Sequence, residues 1–336
     1  MLQEFCKQKG RKTAFFDFEQ PSVLAEFNRS DKEIIQIIFE AGDVVFIDEF
    51  QYVSNISKIF KAIFDSKRKI KIVCSGSSSL EIHKHLKESL AGRRFLYRIY
   101  PLSYSELQES LKDYSLDEYL KFGGMPGLTQ TDSAERKQQI LNELLGSYIL
   151  KDIKSLVKEE NIRAFNHLLY LLAENQGSTI SVNSLANEVG MSSKAVNHYL
   201  DILEQTYVNY RISSYSKNLG NELKKSCKTY LYDLGIRNVL LKDFSGNERK
   251  DYGVILESFV FLKLQAMLQP NMEVKFWRTK DGGEVDFILL KDRKPIPIEV
   301  KATVEKSEIP MGLKRFLNRY PAVSSAYVIN GAVNDQ

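Results

Sequence analysis

Glu299 and Lys301 stand two residues apart in the run 295–301 (PIPIEVK), so in an extended strand both side chains leave on one face. Asp286 lies in a second such run, 284–289 (EVDFIL), and can approach from the neighbouring strand. Glu257 precedes both, as the one acid of the amphipathic segment 256–264 (LESFVFLKL). Carboxylate oxygens suit Mg²⁺ or Mn²⁺, and a lysine beside the metal can activate water or stabilise charge developing on a phosphate. Strands that end in charged residues also simply meet solvent, and a single strand of this kind would carry no more than that.

A second pair of acids, Asp48 and Glu49, closes the apolar run of 44–50 (VVFIDEF). Ligands of open α/β sheets bind at the carboxyl ends of strands, so two acids there suit a nucleotide site. An acidic surface turn after a strand has the same letters. Further along, 180–200 (ISVNSLANEVGMSSKAVNHYL) has helix-turn-helix proportions: an Asn-capped helix, a Gly-containing turn and a helix capped by Ser192 or Ser193. A DNA reader would present Ser193, Lys194 and Asn197 to the major groove. One lysine among neutral residues is a thin electrostatic footprint, and a packing module reads the same way. Lys217, Lys224, Lys225 and Lys228 offer a basic flank or a solvated loop.

The elements that must position these residues are legible as periodicity. Apolar runs at 13–18 (TAFFDF), 44–47 and 70–74 (IKIVC) alternate with helically spaced segments at 31–40 and 56–66. That order predicts a parallel sheet covered on both faces. From 105 to 148 the pattern turns helical, broken at 122–127 (FGGMPG), where glycines followed by proline cannot continue a helix. Two strands, 206–213 and 228–232, follow the helix-turn-helix segment as a wing. The tail then reads as helix, strands at 274–278, 284–289 and 295–301, a helix near 313–318 and a strand at 326–329.

The bulk numbers bound the class. A chain of 336 residues exceeds one comfortable core, and 43% hydrophobic with 27% charged residues fits neither disorder nor a fibrous repeat. The 47 Lys+Arg against 43 Asp+Glu leave +4, which permits nucleic-acid contact without demanding it. Three cysteines, far apart, argue against a disulfide framework or zinc site. No run approaches the roughly 20 apolar residues of a membrane span, so the expectation is a cytoplasmic protein without a membrane partner.

An acidic strand end, a helix, a strand ending in Ser75-Gly76-Ser77-Ser78-Ser79, then 90–94 (LAGRR) leading to 100–107 (YPLSYSEL), resembles the archaeal-type AAA+ P-loop ATPases of prokaryotes, whose C-terminal region is a domain of unknown function. The resemblance implies that Asp48 holds Mg²⁺ and that Glu49 orients the attacking water. It implies a polar sensor at Ser77 or Ser78 near the γ-phosphate of ATP, and a phosphate-sensing role for Arg93. The departure is as informative. A P-loop needs a glycine-rich loop ending Gly-Lys-Ser/Thr. Here Gly10-Arg11-Lys12-Thr13 has the letters in the wrong order and leads into a strand. The expectation is weak or absent ATP hydrolysis, with the chain starting after the phosphate loop, and an incomplete sheet that invites self-association or a partner chain.

The tail's α-β-β-β-α-β order resembles the PD-(D/E)xK nuclease fold, implying metal ligands at Glu257, Asp286 and Glu299 with Lys301 as the catalytic lysine. The expected fold is thus α/β and multidomain. A partial AAA+ core spans 1–104, a helical lid 105–155, a winged-helix domain 156–245 and a nuclease-like domain 246–336. The expected function is ATPase-like action on DNA, with a Mg²⁺-dependent endonuclease or DNA-binding module as the alternative.

Overall fold

The structure, a computed structural model, describes residues 2–76, 90–147, 161–216, 227–246, 249–279, 281–303 and 309–331. The chain divides into two compact units, Met1–Arg98 and Ile99–Gln336.

In the first unit, α1 (Leu2–Gln8) precedes β1 (Thr13–Asp17); α2 (Pro21–Glu26) and α3 (Asp31–Ala41) lead to β2 (Val44–Asp48), and α4 (Ile56–Asp65) leads to β3 (Lys71–Cys74). The strands form a parallel sheet in the order β1-β2-β3. Register sets Phe15 beside Phe46 and Asp17 beside Asp48. Parallel neighbours need long crossovers, which α2–α3 and α4 supply. Because β2 is central, residues 44–47 are buried on both faces, which is why that run is uninterrupted rather than alternating. A Ser30–Glu33 capping box starts α3, and α4 buries Ile56, Ile59, Phe60 and Ile63 at helical spacing. Among the described residues β3 is an edge strand, and its Val73 is exposed.

The second unit opens with α5 (Tyr104–Ser110), α6 (Leu116–Phe122) and α7 (Ala134–Leu144). The Gly123-Gly124 break after α6 has a steric cause. Gly123 has φ +72°, and a Cβ there would lie 2.3 Å from the Asp233 carboxylate; one on Gly124 would lie 1.9 Å from the Leu102 carbonyl oxygen. Next come α8 (Ile162–Glu174), β4 (Thr179–Ile180), α9 (Val182–Val189), α10 (Ser193–Gln205), β5 (Asn209–Ile212) and β6 (Cys227–Leu231). Their strands form an antiparallel sheet in the order β4-β6-β5. The expected asparagine cap is not used at α9: Ser181 occupies the cap without a side-chain bond, and Asn183 instead accepts the Ser193 hydroxyl.

After α11 (Leu234–Leu241) and α12 (Tyr252–Met267), strands β7 (Met272–Arg278), β8 (Glu284–Lys291) and β9 (Lys294–Lys301) run antiparallel; α13 (Met311–Arg319) then returns β10 (Tyr327–Asn330) parallel to β9. The sheet order is β10-β9-β8-β7. This sheet and the three-stranded one share a core. Tyr210, Ile212 and Tyr230 pack with Leu256, Phe261, Phe276 and Phe287, and the Phe276 N–H donates to the Ser213 carbonyl at 3.1 Å. Residues assigned from sequence to 105–155, 156–245 and 246–336 therefore belong to one compact unit. Among the described residues, no helix is long and apolar enough to cross a membrane.

Candidate functional site

At the carboxyl edge of the parallel sheet, Asp48 ends β2 beside Asp17 of β1. The Ser75 hydroxyl, just past β3, donates to Asp48 Oδ1 at 2.5 Å, and the Glu49 N–H donates to the same oxygen at 3.1 Å. The parallel β2–β3 register brings Ser75 there, with its N–H donating to the Ile47 carbonyl at 2.9 Å. Asp17 is occupied locally by the Glu19 N–H and the Gln20 amide. Glu49 has φ +49°, a left-handed conformation rare for a residue with a Cβ, and it turns the chain sharply out of the strand. Its carboxylate accepts from the Gln51 side-chain amide. Arg93 pairs with Asp65 at 3.3 Å and lies over the Phe64 ring. Ser77 and Ser78 lie outside the described residues. Asp48 and Ser75 bring together oxygen atoms of the kind Mg²⁺ takes. Nothing in the 336 residues supplies the Gly-Lys-Ser/Thr loop for the phosphates.

The C-terminal acids meet in an arrangement the sequence did not announce. Lys228 of β6, read above as flank or loop, is 1% exposed. Its Nζ lies 3.1 Å from Glu257 Oε1, 2.9 Å from Glu284 Oε1 and 3.9 Å from Asp286 Oδ1. The basic-flank reading of Lys228 is thereby corrected: the residue sits on the central strand of its sheet, and a buried ammonium persists only among anions. Lys217, Lys224 and Lys225 lie outside the described residues. Tyr230, two residues on, donates to Glu257 Oε1 at 2.6 Å while its ring stacks on Phe261 at 4.2 Å. Asp286 Oδ2 accepts the Val300 N–H at 2.8 Å. Lys301 pairs with Glu299 at 2.7 Å, so these two side chains do share a face as their spacing predicts. The second Glu299 oxygen is buried without a hydrogen-bond partner.

Electrostatics follow from burial. Burial pushes Glu257 up to about 7 against the opposing pull of Lys228, and it raises Asp286 and Glu299 as well. Burial disfavours the Lys228 cation too, but Glu257, Asp286 and Glu284 outweigh it and hold its pKa above the ordinary lysine value. Among the described residues, no group of three or more His, Cys, Asp or Glu side chains is placed to hold a metal ion. The acids Glu257 and Asp286 surround an ammonium instead, so the cluster as built does not fit Mg²⁺. Tyr230 and Glu284 were not named from sequence and Lys228 was given a different role; the available signal was a lysine inside the strand 227–231 (CKTYL).

On α10, Ser192 caps the helix by accepting the Ala195 N–H, and the Ser193 hydroxyl is spent on Asn183 at 2.7 Å. Lys194 and Asn197 are exposed, and so is His198. The acids at the far end of α10, Asp201 and Glu204, both pair with Arg211 of β5.

Comparison with known proteins gives three matches along the chain. Residues 1–108 match a family described as AAA domain, 113–247 a domain of unknown function (DUF8612), and 252–336 a domain of unknown function (DUF4143). An uncharacterized protein of Haemophilus influenzae is 28% identical over 267 residues, covering 76% of this chain and 64% of that protein. Uncharacterized protein MJ1544 of Methanocaldococcus jannaschii is 29% identical over 272 residues, covering 75% and 59%. Uncharacterized protein Rv2008c of Mycobacterium tuberculosis is 25% identical over 264 residues, covering 77% and 59%. The matched part thus spans about three fifths of the length of these relatives. An AAA domain implies nucleotide binding, typically with Mg²⁺. The matches at the two ends of the chain support an AAA-type ATPase-like family.

Proposed function

We propose that this chain is an AAA-type ATPase-like protein that engages DNA through its second unit and does not, by these 336 residues alone, turn over ATP. The observation that carries the reading is the Asp48–Ser75 pair at the carboxyl edge of a parallel sheet, in a sequence with no Gly-Lys-Ser/Thr run. Positioning and a positive field around the phosphates supply most of the catalysis in phosphoryl transfer. A carboxylate edge without that field leaves Mg²⁺-ATP unsupported, and phosphate release measures the consequence directly.

The DNA part rests on topology. Helix α8, β4, helices α9 and α10, then β5 and β6, with sheet order β4-β6-β5, match the arrangement expected of a winged helix and support that reading, with α10 in the groove-facing position. Lys194 and Asn197 are the exposed probes near its N-terminus, whereas Ser193 serves packing against α9. Lys194→Ala with Asn197→Ala is expected to weaken duplex binding several-fold in fluorescence anisotropy and to flatten its salt dependence by about one phosphate contact. Unchanged affinity and slope would assign α10 to packing alone.

The α12, β7–β9, α13, β10 order, with β9 and β10 parallel, supports a PD-(D/E)xK-like fold for the tail. Because an ammonium stands among its acids, we read that sheet as scaffold for the unit rather than as a working endonuclease.

A further inference from the structure

We propose that Lys228 is a resident cation that closes the Glu257–Glu284–Asp286 cluster to divalent metals: the C-terminal sheet carries a metal site held shut by a side chain from the adjoining β4-β6-β5 sheet. The inference rests on the ion geometry and is independent of the nucleotide site. Three carboxylate groups, from Glu257, Glu284 and Asp286, stand within 3.9 Å of one ammonium nitrogen. A divalent ion would need such oxygens at roughly 2.0–2.6 Å around its own centre, in the space this nitrogen fills.

The lysine is held by its strand rather than by its own flexibility. β6 is paired on both sides, Lys228 standing opposite Thr179 of β4 and Ile212 of β5. Tyr230 anchors the strand through its stack on Phe261 and its hydrogen bond to Glu257. The Nζ also lies 5.8 Å from the Phe276 ring centroid. Entry of a metal would strand a buried ammonium without anions, a cost that breaking any buried pair carries. Exclusion therefore persists at ordinary metal concentrations.

The charge balance shows why the site would open without Lys228. The cluster's acids, Glu257, Asp286, Glu299 and the half-exposed Glu284, outnumber the cations Lys228 and Lys301, with Arg278 reaching Glu284 at 3.7 Å. The second Glu299 oxygen has no hydrogen-bond partner. Removing one ammonium leaves oxygens that lack a cation and have little water to replace it. A hard divalent ion is the chemical species that meets this demand.

The test is Mn²⁺ titration of the full chain, with free Mn²⁺ read by electron paramagnetic resonance. Wild type is expected to show no saturable site up to about 1 mM, the weak end of protein sites for hard cations. Lys228→Met is expected to bind one ion per chain at least about tenfold more tightly than wild type, and adding Asp286→Asn to it should abolish that site. Lys228→Met/Glu284→Gln removes one of the acids left unpaired and serves if the single variant does not fold, as judged by circular dichroism. A stoichiometric wild-type site lost in Asp286→Asn would overturn the proposal, because the lysine would then not be closing anything. A folded lysine variant that binds no Mn²⁺ would overturn it equally.

Discussion

Arg237→Ala is expected to lower the unfolding free energy by about 2–4 kcal/mol, from the space the buried side chain vacates and the carbonyl it leaves unpaired, since Arg249 still pairs with Asp251. Arg237 is 1% exposed in the first turn of α11. Its Nη2 pairs with Asp251 Oδ2 at 2.7 Å and its Nε donates to the Ala173 carbonyl, at the end of α8, at 3.2 Å. Arg249 pairs with Asp251 as well and donates to Asn238 Oδ1 at 3.1 Å, while the Asn238 amide donates to the Leu120 and Lys121 carbonyls of α6. One guanidinium thus ties α8 and α11 to the entry of α12, and the same network reaches α6. Truncation empties the space the side chain fills beyond its Cβ and leaves one carbonyl unpaired. Arg237→Lys rescues little, since a single ammonium cannot serve both Ala173 and Asp251 in the planar geometry that the fork matches. Urea unfolding of the full chain measures the loss through the midpoint of the second unit; a change below about 1 kcal/mol, the scale of an exposed pair, would contradict the network's weight.

The second large effect is a pH dependence at Asp233. Its buried carboxylate caps α11 by accepting the Ile236 N–H at 3.0 Å, and accepts the Gly124 N–H at 2.8 Å. Burial pushes its pKa up to about 6, despite the lowering effect of those donors and of Gly235. Tyr114 and Tyr119, from the segment around α6, face the same carboxylate; burial raises both phenols, and the charge on Asp233 adds to it. The folded pKa lies above the unfolded value of about 4, so the folded state binds more protons between these values. Stability therefore falls as pH rises from about 4 to about 6, by roughly 3 kcal/mol over that interval, and this contribution is constant above it. Asp233→Asn removes the titration and should flatten that segment of the curve. It should also cost about 1–3 kcal/mol at about pH 5, because the amide nitrogen turns a donor toward a backbone N–H and leaves it unpaired. Urea midpoints taken across the interval from acid to neutral pH show the slope; a variant that keeps the wild-type slope would assign the titration to another group.

The sequence was most legible where local pattern and tertiary demand agree. The uninterrupted apolar run at 44–47 marks a strand buried on both faces, and Asp48 follows at its carboxyl end as expected. The helix break at Gly123-Gly124 was legible from residue type, although its cause, the Asp233 carboxylate, lies far downstream and could not be read locally. Glu299 and Lys301 share a face because strand periodicity is local. What escaped was long-range and electrostatic. Lys228 carries the same letter as any solvent-facing lysine, and only the pairing of β6 between β4 and β5 buries it among acids. Ser75 was visible in the Ser-Gly-Ser-Ser-Ser run, but its bond to Asp48 depends on parallel register, which sequence periodicity does not fix.

Whether the AAA-type edge has phosphate chemistry of its own is decided by phosphate release from Mg²⁺-ATP by the purified chain, run beside Asp48→Ala and with duplex DNA present and absent. Release equal to the protein-free blank is expected for both proteins under both conditions. Turnover by the wild-type chain that disappears in Asp48→Ala would contradict this reading, because a working phosphate cradle would then have to be built from residues within these 336.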